Sequence, residues 1–166
     1  STAPVVASIN VTPTFTSGGI TNIGDVISFT ITVNPTAQVD QPLDQLVCNG
    51  EGVSVLFTTQ NTGGSTSYSW ISDTQIGAGL SGNSDMNFIA TNLSTEPVVA
   101  TITVTPTFEN GGIICNGEDK TFTITVNPTV GVNALADQYI TSGQTSSLVN
   151  ISSTTTNVTF NWTAVA

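Results

Sequence analysis

The 166 residues include one Lys, no Arg, no His and eleven carboxylates, for a formal net charge of −10. That set excludes a surface for nucleic-acid phosphates or an anionic membrane face, both of which require basic residues. It equally excludes a Ser–His or Cys–His nucleophile within the chain, and no apolar run is long enough for a membrane-spanning helix.

From the N-terminus, alternation is the dominant pattern. Val5, Ala7, Ile9 and Val11 recur at every second position, as do Phe29, Ile31 and Val33. Period two predicts antiparallel strands with one packed and one wet face. Thr, at 30 residues, suits the wet face because it is β-branched and hydroxylated. Asn34-Pro35-Thr36 closes this segment, and Pro removes a ladder donor and stiffens the connection. Val39 to Val47 reads as an irregular strand, with Pro42 placing it at a sheet edge. Cys48-Asn49-Gly50 reads as a turn, Val53, Val55 and Phe57 as a strand, and Asn61 to Gly64 as another turn. Tyr68 and Trp70, two apart, share the inward face of a third strand. A Gly- and Ser-rich loop, Gly77 to Ser84, leads to a strand carrying Met86, Phe88 and Ala90. Val98, Ala100, Ile102 and Val104 face inward on the next strand, and Phe122, Ile124 and Val126 on the last. Asn110-Gly111-Gly112 has the chemistry of a hairpin loop between them. Asn127-Pro128-Thr129 then ends the unit. No convincing helix is present.

The chain repeats itself at a spacing of 93 residues. Thr2 to Pro35 and Thr95 to Pro128 are identical at 22 of 34 positions without a gap. A period of that length is a duplicated domain rather than a solenoid unit. Residues 36–128 are therefore expected to form one complete repeat. Residues 1–35 would be the last strands of a preceding repeat, and 129–166 the first strands of a following one. In the latter, Gln138 matches Gln45, Gly143 matches Gly50, and Trp162 matches Trp70 after deletion of one residue. About seven short strands with a Trp on the third predict an all-β, antiparallel, immunoglobulin-like sandwich. Tyr68, Trp70, Phe122 and Trp162 are the expected core aromatics. The partial copies are expected to pack against further chain of a longer array, and any export signal would lie outside these residues.

Cys48 and Cys115 are the only cysteines, and both fall in the complete repeat. They are either paired within that domain or both free. Pairing is favoured, because the positions available in the neighbouring copies are Asn22 and Thr141. A loop of roughly 67 residues closed by a disulfide would contribute about 3 to 4.5 kcal/mol in the loop-entropy account. It would also imply an oxidising, extracytoplasmic compartment. Two lone cysteines without His are too few for zinc. The carboxylate pairs Glu118-Asp119 and Asp40/Asp44 read as solvated loop acids. Calcium at a domain joint, beside Asp40 and Asp44, is the alternative. No catalytic, cofactor-binding or metal residue is otherwise indicated.

Tyr68-x-Trp70 with its acidic and Gly-rich loops, the run Pro97 to Val104 and the run Phe122 to Pro128 resemble PKD-like (polycystic-kidney-disease-type) Ig-fold repeats. TPTF-x-x-GG, C-x-G, the run FTITVNPTAQVDQP from Phe29 to Pro42, and Leu46-Val47-Cys48-Asn49-Gly50 are similar to the tandem repeats of the SprB-type gliding-motility adhesins of flavobacteria. The resemblance covers essentially the whole chain and departs from the family at Asn22, Thr141 and Val130 to Ile140. It implies a very large protein exported by type IX secretion, displayed as cell-surface filaments and moved by envelope machinery. No family catalytic residues exist to carry over.

The resulting expectation is a non-enzymatic, extracellular stalk of a surface adhesin, used in adhesion and gliding. Its partners would be neighbouring repeats, the motility or secretion machinery, and extracellular polysaccharide. A carbohydrate-binding module of a secreted polysaccharide-degrading enzyme is the rival, and an exposed aromatic row on one sheet would favour it.

Overall fold

The computed structural model describes residues 1–165. Among these residues the chain is all-β, with several sheets, no helix and no closed barrel. The first segment forms two separate ribbons. β1 (Val5–Val11) pairs with β4 (Ile27–Val33), and β2 (Thr14–Ser17) with β3 (Ile20–Ile23). Eight more strands follow: β5 (Gln45–Cys48), β6 (Gly52–Val55), β7 (Ser65–Ser72), β8 (Ser81–Gly82), β9 (Met86–Ile89), β10 (Val98–Asn110), β11 (Ile113–Asn116) and β12 (Lys120–Asn127). The main sheet has the order β5-β12-β10-β7-β8, with β11 also paired to β10, and β6 pairs with β9 in a second sheet.

The two sheets share one core, as a β-sandwich does. Ala100, Ile102 and Val104 of β10 and Phe122, Ile124 and Val126 of β12 are buried against Val53, Val55, Phe57, Trp70, Ile76, Met86 and Ala90. These include the alternating positions read from the sequence, and Thr101 and Thr121 lie on the exposed face. Trp70 donates its Nε1–H to the Ser84 carbonyl at 2.9 Å, so its one polar atom is satisfied. Gly82 passes directly beneath the ring: a Cβ there would stand 2.5 Å from Trp70 Cζ2. Tyr68 is partly buried, with its ring 5.6 Å from that of Phe57.

Pro106 sits inside the 13-residue strand β10, a position that would normally argue against a central strand. It stands where β10 changes partner. Val98 to Val104 pair with β12 and Thr107 to Asn110 with β11. The missing N–H thus falls at a break in the ladder, while the Pro106 carbonyl accepts from Gly117 N at 3.0 Å. Pro13 does the same in the first segment, accepting from Gly24 N at 2.9 Å.

Several expectations need correction. The strand expected over Val39–Val47 reduces to Gln45–Cys48, and it joins β12 in parallel, so the sheet is not wholly antiparallel. Upstream of it, Gln41 Nε2 donates to the Thr121 carbonyl at 2.8 Å, and Thr123 N donates to Asp44 Oδ1 at 2.6 Å. Side chains therefore stand in for backbone pairing where Pro42 interrupts it. Trp162 is not a core residue: it is 77% exposed, because no strand ladder forms around it and no opposing sheet covers it. The first segment also lacks a core. Its register repeats that of β10 and β12, Val5 facing Val33 as Val98 faces Val126. Yet Ile31 is 51% exposed where its counterpart Ile124 is fully buried.

Candidate functional site: the joints between repeats

Side-chain hydrogen bonds join residues 36–128 to the segments before and after them at two places. The first lies at the end of the sandwich that carries the β10–β11 hairpin and the Asn61–Gly64 turn. Asn34 Nδ2 donates to the Asn110 carbonyl at 2.9 Å, and Asn110 Nδ2 donates back to Asn34 Oδ1 at 2.8 Å. Asn61 Nδ2 donates to the Thr36 carbonyl at 3.2 Å and the Thr2 carbonyl at 3.3 Å, while its Oδ1 accepts from Gln38 N at 2.7 Å. Thr62 N donates to the Thr2 carbonyl at 2.9 Å. Pro4 packs over Gly63, whose φ of 76° is one that Gly adopts without cost.

The second joint, at the opposite end, repeats part of this arrangement. Thr95, Pro97, Asn127 and Thr129 are 93 residues beyond Thr2, Pro4, Asn34 and Thr36. Thr155 Oγ1 donates to the Thr129 carbonyl at 3.2 Å, as Asn61 does to Thr36. Thr156 Oγ1 donates to Glu96 Oε2 at 2.9 Å. Asn157 takes the place of Gly63 with a φ of 56°, and Asn is among the few other residues that tolerate this region. Asn49 fastens the joint to the sandwich. Its Nδ2 donates to Thr129 Oγ1 at 2.7 Å, and its Oδ1 accepts from Asn92 N at 2.8 Å. Asn92 is itself buried and donates to the Glu96 and Val126 carbonyls at 2.8 and 2.7 Å. A cleft of about 380 Å³ remains here, lined by Cys48, Pro97, Asn127, Thr155 and Asn157 among others.

Local geometry in the third segment also follows the complete repeat. Gln138 bonds Ser147 as Gln45 bonds Ser54, and Asn133 N donates to the Ser152 carbonyl as Asp40 N donates to Thr58. These matches place one extra residue between Ser147 and Ser152. The Trp162 match then implies a loss of two after Asn157, where the sequence alone suggested a single deletion.

The expected disulfide is absent, and both cysteines are free. Cys48 lies beside Asn127, at the end of the sheet where Val98 meets Val126. Cys115 lies beside Phe108, ten residues further along β10. At about 3.3 Å per residue the two are some 30 Å apart, far beyond the roughly 7 Å that a disulfide allows between Cα atoms. The cysteines therefore carry no information about compartment.

The carboxylates act singly. Asp40 accepts from Thr58 Oγ1 at 2.7 Å and from Gln60, Asp44 accepts from Thr123 N, and Asp119 accepts from Thr105 Oγ1 at 2.6 Å. Glu118 lines a surface hollow with Lys120 and Asp40. Among the described residues no three His, Cys, Asp or Glu converge to hold a metal. Asp73 extends the β7–β10 ladder, and the Thr101 N–H that it accepts holds its carboxyl below the usual range. Burial, with Asp40 and Asp85 nearby, pushes the Tyr68 phenol up.

The Asn-Pro-Thr triplets stand at the ends of β4 and β12, as the sequence suggested, but the reciprocal Asn34–Asn110 clasp was not legible. Its signal was Asn at both matched triplets, beside an Asn at the hairpin tip. No model of a known protein family matches the chain, and no curated protein matches its sequence.

Proposed function

We propose that this chain is a stretch of stalk from a secreted cell-surface adhesin, built of tandem immunoglobulin-like, PKD-like repeats with residues 36–128 as one complete unit. The observation that carries this reading is the duplication of the joint. The second junction reuses four residues of the first at the same spacing, Thr95, Pro97, Asn127 and Thr129 for Thr2, Pro4, Asn34 and Thr36, and repeats one hydrogen bond, to the Thr129 carbonyl as to that of Thr36, which suits a chain whose purpose is a regular, semi-rigid length. The strand order supports the Ig-like assignment. β7, β10 and β12 stand where strands C, F and G do, β6 and β9 stand as B and E, and Trp70 is the buried Trp of strand C. The outer face of the complete repeat carries Thr, with Tyr68 and Trp70 turned inward, which disfavours a stacking platform for sugars. The unit performs no reaction in this reading. It sets reach for an adhesive filament outside the cell, engaged by the surface machinery that moves it in gliding.

Antibodies raised against residues 36–128 are expected to label intact producing cells on filaments beyond the envelope, and to reduce attachment and gliding. Labelling only after permeabilisation would overturn the proposal. Retention on polysaccharide columns, with no effect on attachment, would favour a carbohydrate-binding module.

A further inference from the structure

Asparagine followed by glycine is a chemically labile pair, because the glycine nitrogen, unshielded by a side chain, can reach the asparagine's own amide carbon. The chain has three such pairs, Asn49-Gly50, Asn110-Gly111 and Asn116-Gly117. The fold holds them differently. Gly50 N donates to the Ala90 carbonyl at 2.8 Å and Gly117 N to the Pro106 carbonyl at 3.0 Å, so both nitrogens are committed. Asn49 is also tied through its side chain to Thr129 and Asn92, and Gly117 is wedged against the Ala37 carbonyl and the Pro106 ring. Gly111 is the exception. With Gly112 it turns the chain between Asn110 and Ile113, at φ values of 62° and 76°, as a type I′ loop requires. The space around it is open, and its nitrogen donates to no carbonyl among the described residues.

We propose that Asn110 is a site of spontaneous deamidation, and that its conversion loosens the first joint. The Gly111 nitrogen attacks Cγ of Asn110 and gives up its proton as ammonia leaves, closing a cyclic succinimide. Water then opens the ring at one carbonyl or the other, leaving aspartate, or isoaspartate with an extra carbon in the backbone. Water is the only co-reactant. What is lost is the clasp, in which Asn110 Nδ2 donates to Asn34 Oδ1 at 2.8 Å and Asn34 Nδ2 donates to the Asn110 carbonyl at 2.9 Å. A carboxylate has no proton to give, so oxygen faces oxygen whichever way the Asn34 amide is turned. Isoaspartate also lengthens the backbone beside a two-residue loop. The partner cannot age in this way: Asn34 precedes Pro35, whose ring nitrogen carries no proton, and Asn127 likewise precedes Pro128. The clasp gates the reaction, since Asn110 must release Asn34 before its amide carbon can swing to Gly111. One half-buried bond of that kind slows the step by about tenfold at most. At Asn49 and Asn116 a backbone bond of the sandwich must break first. None of this depends on what the chain is used for.

The test ages the whole chain in mildly alkaline buffer made with isotopically heavy water, which labels each converted residue for mass spectrometry. Cleavage after Glu109 and Glu118 places Asn110 and Asn116 in one fragment, so the two are compared directly. In the folded chain Asn110 is expected to convert several-fold faster than Asn49 or Asn116, and in urea all three should convert at comparable rates. Asn34→Ala, which removes the clasp alone, should speed conversion of Asn110 by about two- to tenfold. In the aged protein and in Asn110→Asp, the Thr62 amide, bonded to Thr2 at the same joint, should exchange faster with solvent while that of Ile102 in the core does not change. Equal conversion of the three sites in the folded chain, or Asn110 the slowest, would overturn the assignment. A difference that persists in urea would do the same, since it would trace the selectivity to neighbouring residues rather than to the fold. No acceleration in Asn34→Ala would remove the gate, and an unchanged Thr62 amide would refute the loosening.

Discussion

Gly82 is the residue where the sandwich has least slack. A methyl group there would meet Trp70 Cζ2 at 2.5 Å and Nε1 at 2.8 Å, so the indole must move and give up its bond to Ser84. Gly82→Ala is expected to destabilise the fold by about 1–3 kcal/mol, the usual cost of overpacking, read as a lower urea midpoint with quenched or shifted Trp fluorescence. Asp73 makes a pH-dependent contribution. Its folded pKa is depressed by the Thr101 N–H, so its stabilisation is present above the ordinary carboxylate range and is lost as pH falls through the folded value. The side chain is fully exposed and the effect correspondingly small. Urea midpoints of wild type and Asp73→Asn should differ near neutrality and converge in acid. A constant gap would mean that the carboxylate's charge is not what Thr101 reads.

At the scale of elements, the alternation of apolar residues and Thr located β10 and β12 and chose their buried faces, because a period of two leaves only two faces to choose between. The same alternation in the first segment predicted strands correctly but says nothing of burial, which depends on a partner. Trp162 shows the cost: its match to Trp70 identified the position, but the sheet that buries Trp70 is not assembled around it. Pairing direction was illegible as well. β5 is four residues long, and only its register against β12 reveals that it runs parallel. The cysteines illustrate a further limit, since shared membership of a domain does not imply proximity when strands run its full length. Hydrogen exchange should follow packing rather than strand propensity. Amides of Ile102, Val104 and Ile124 are expected to be the slowest, and those of β1 to β4 to exchange orders of magnitude faster despite their matching sequence. Equal protection in the two copies would mean that the first segment is covered in solution.

Taken whole, the chain enters the sandwich at Thr36 and leaves it at Asn127. Between those points the segment from Gln41 to Cys48 and strand β12 run in the same direction, bonded side by side through Gln41, Asp44 and the parallel ladder. Pulling on the two ends of such a unit draws one strand back toward its start and the other onward toward its end. The bonds between them then lie across the direction of sliding and share the load in shear, instead of opening one after another like a zipper. A unit built this way yields only when the whole seam lets go, so its resistance comes from the parallel seam and requires no covalent cross-link.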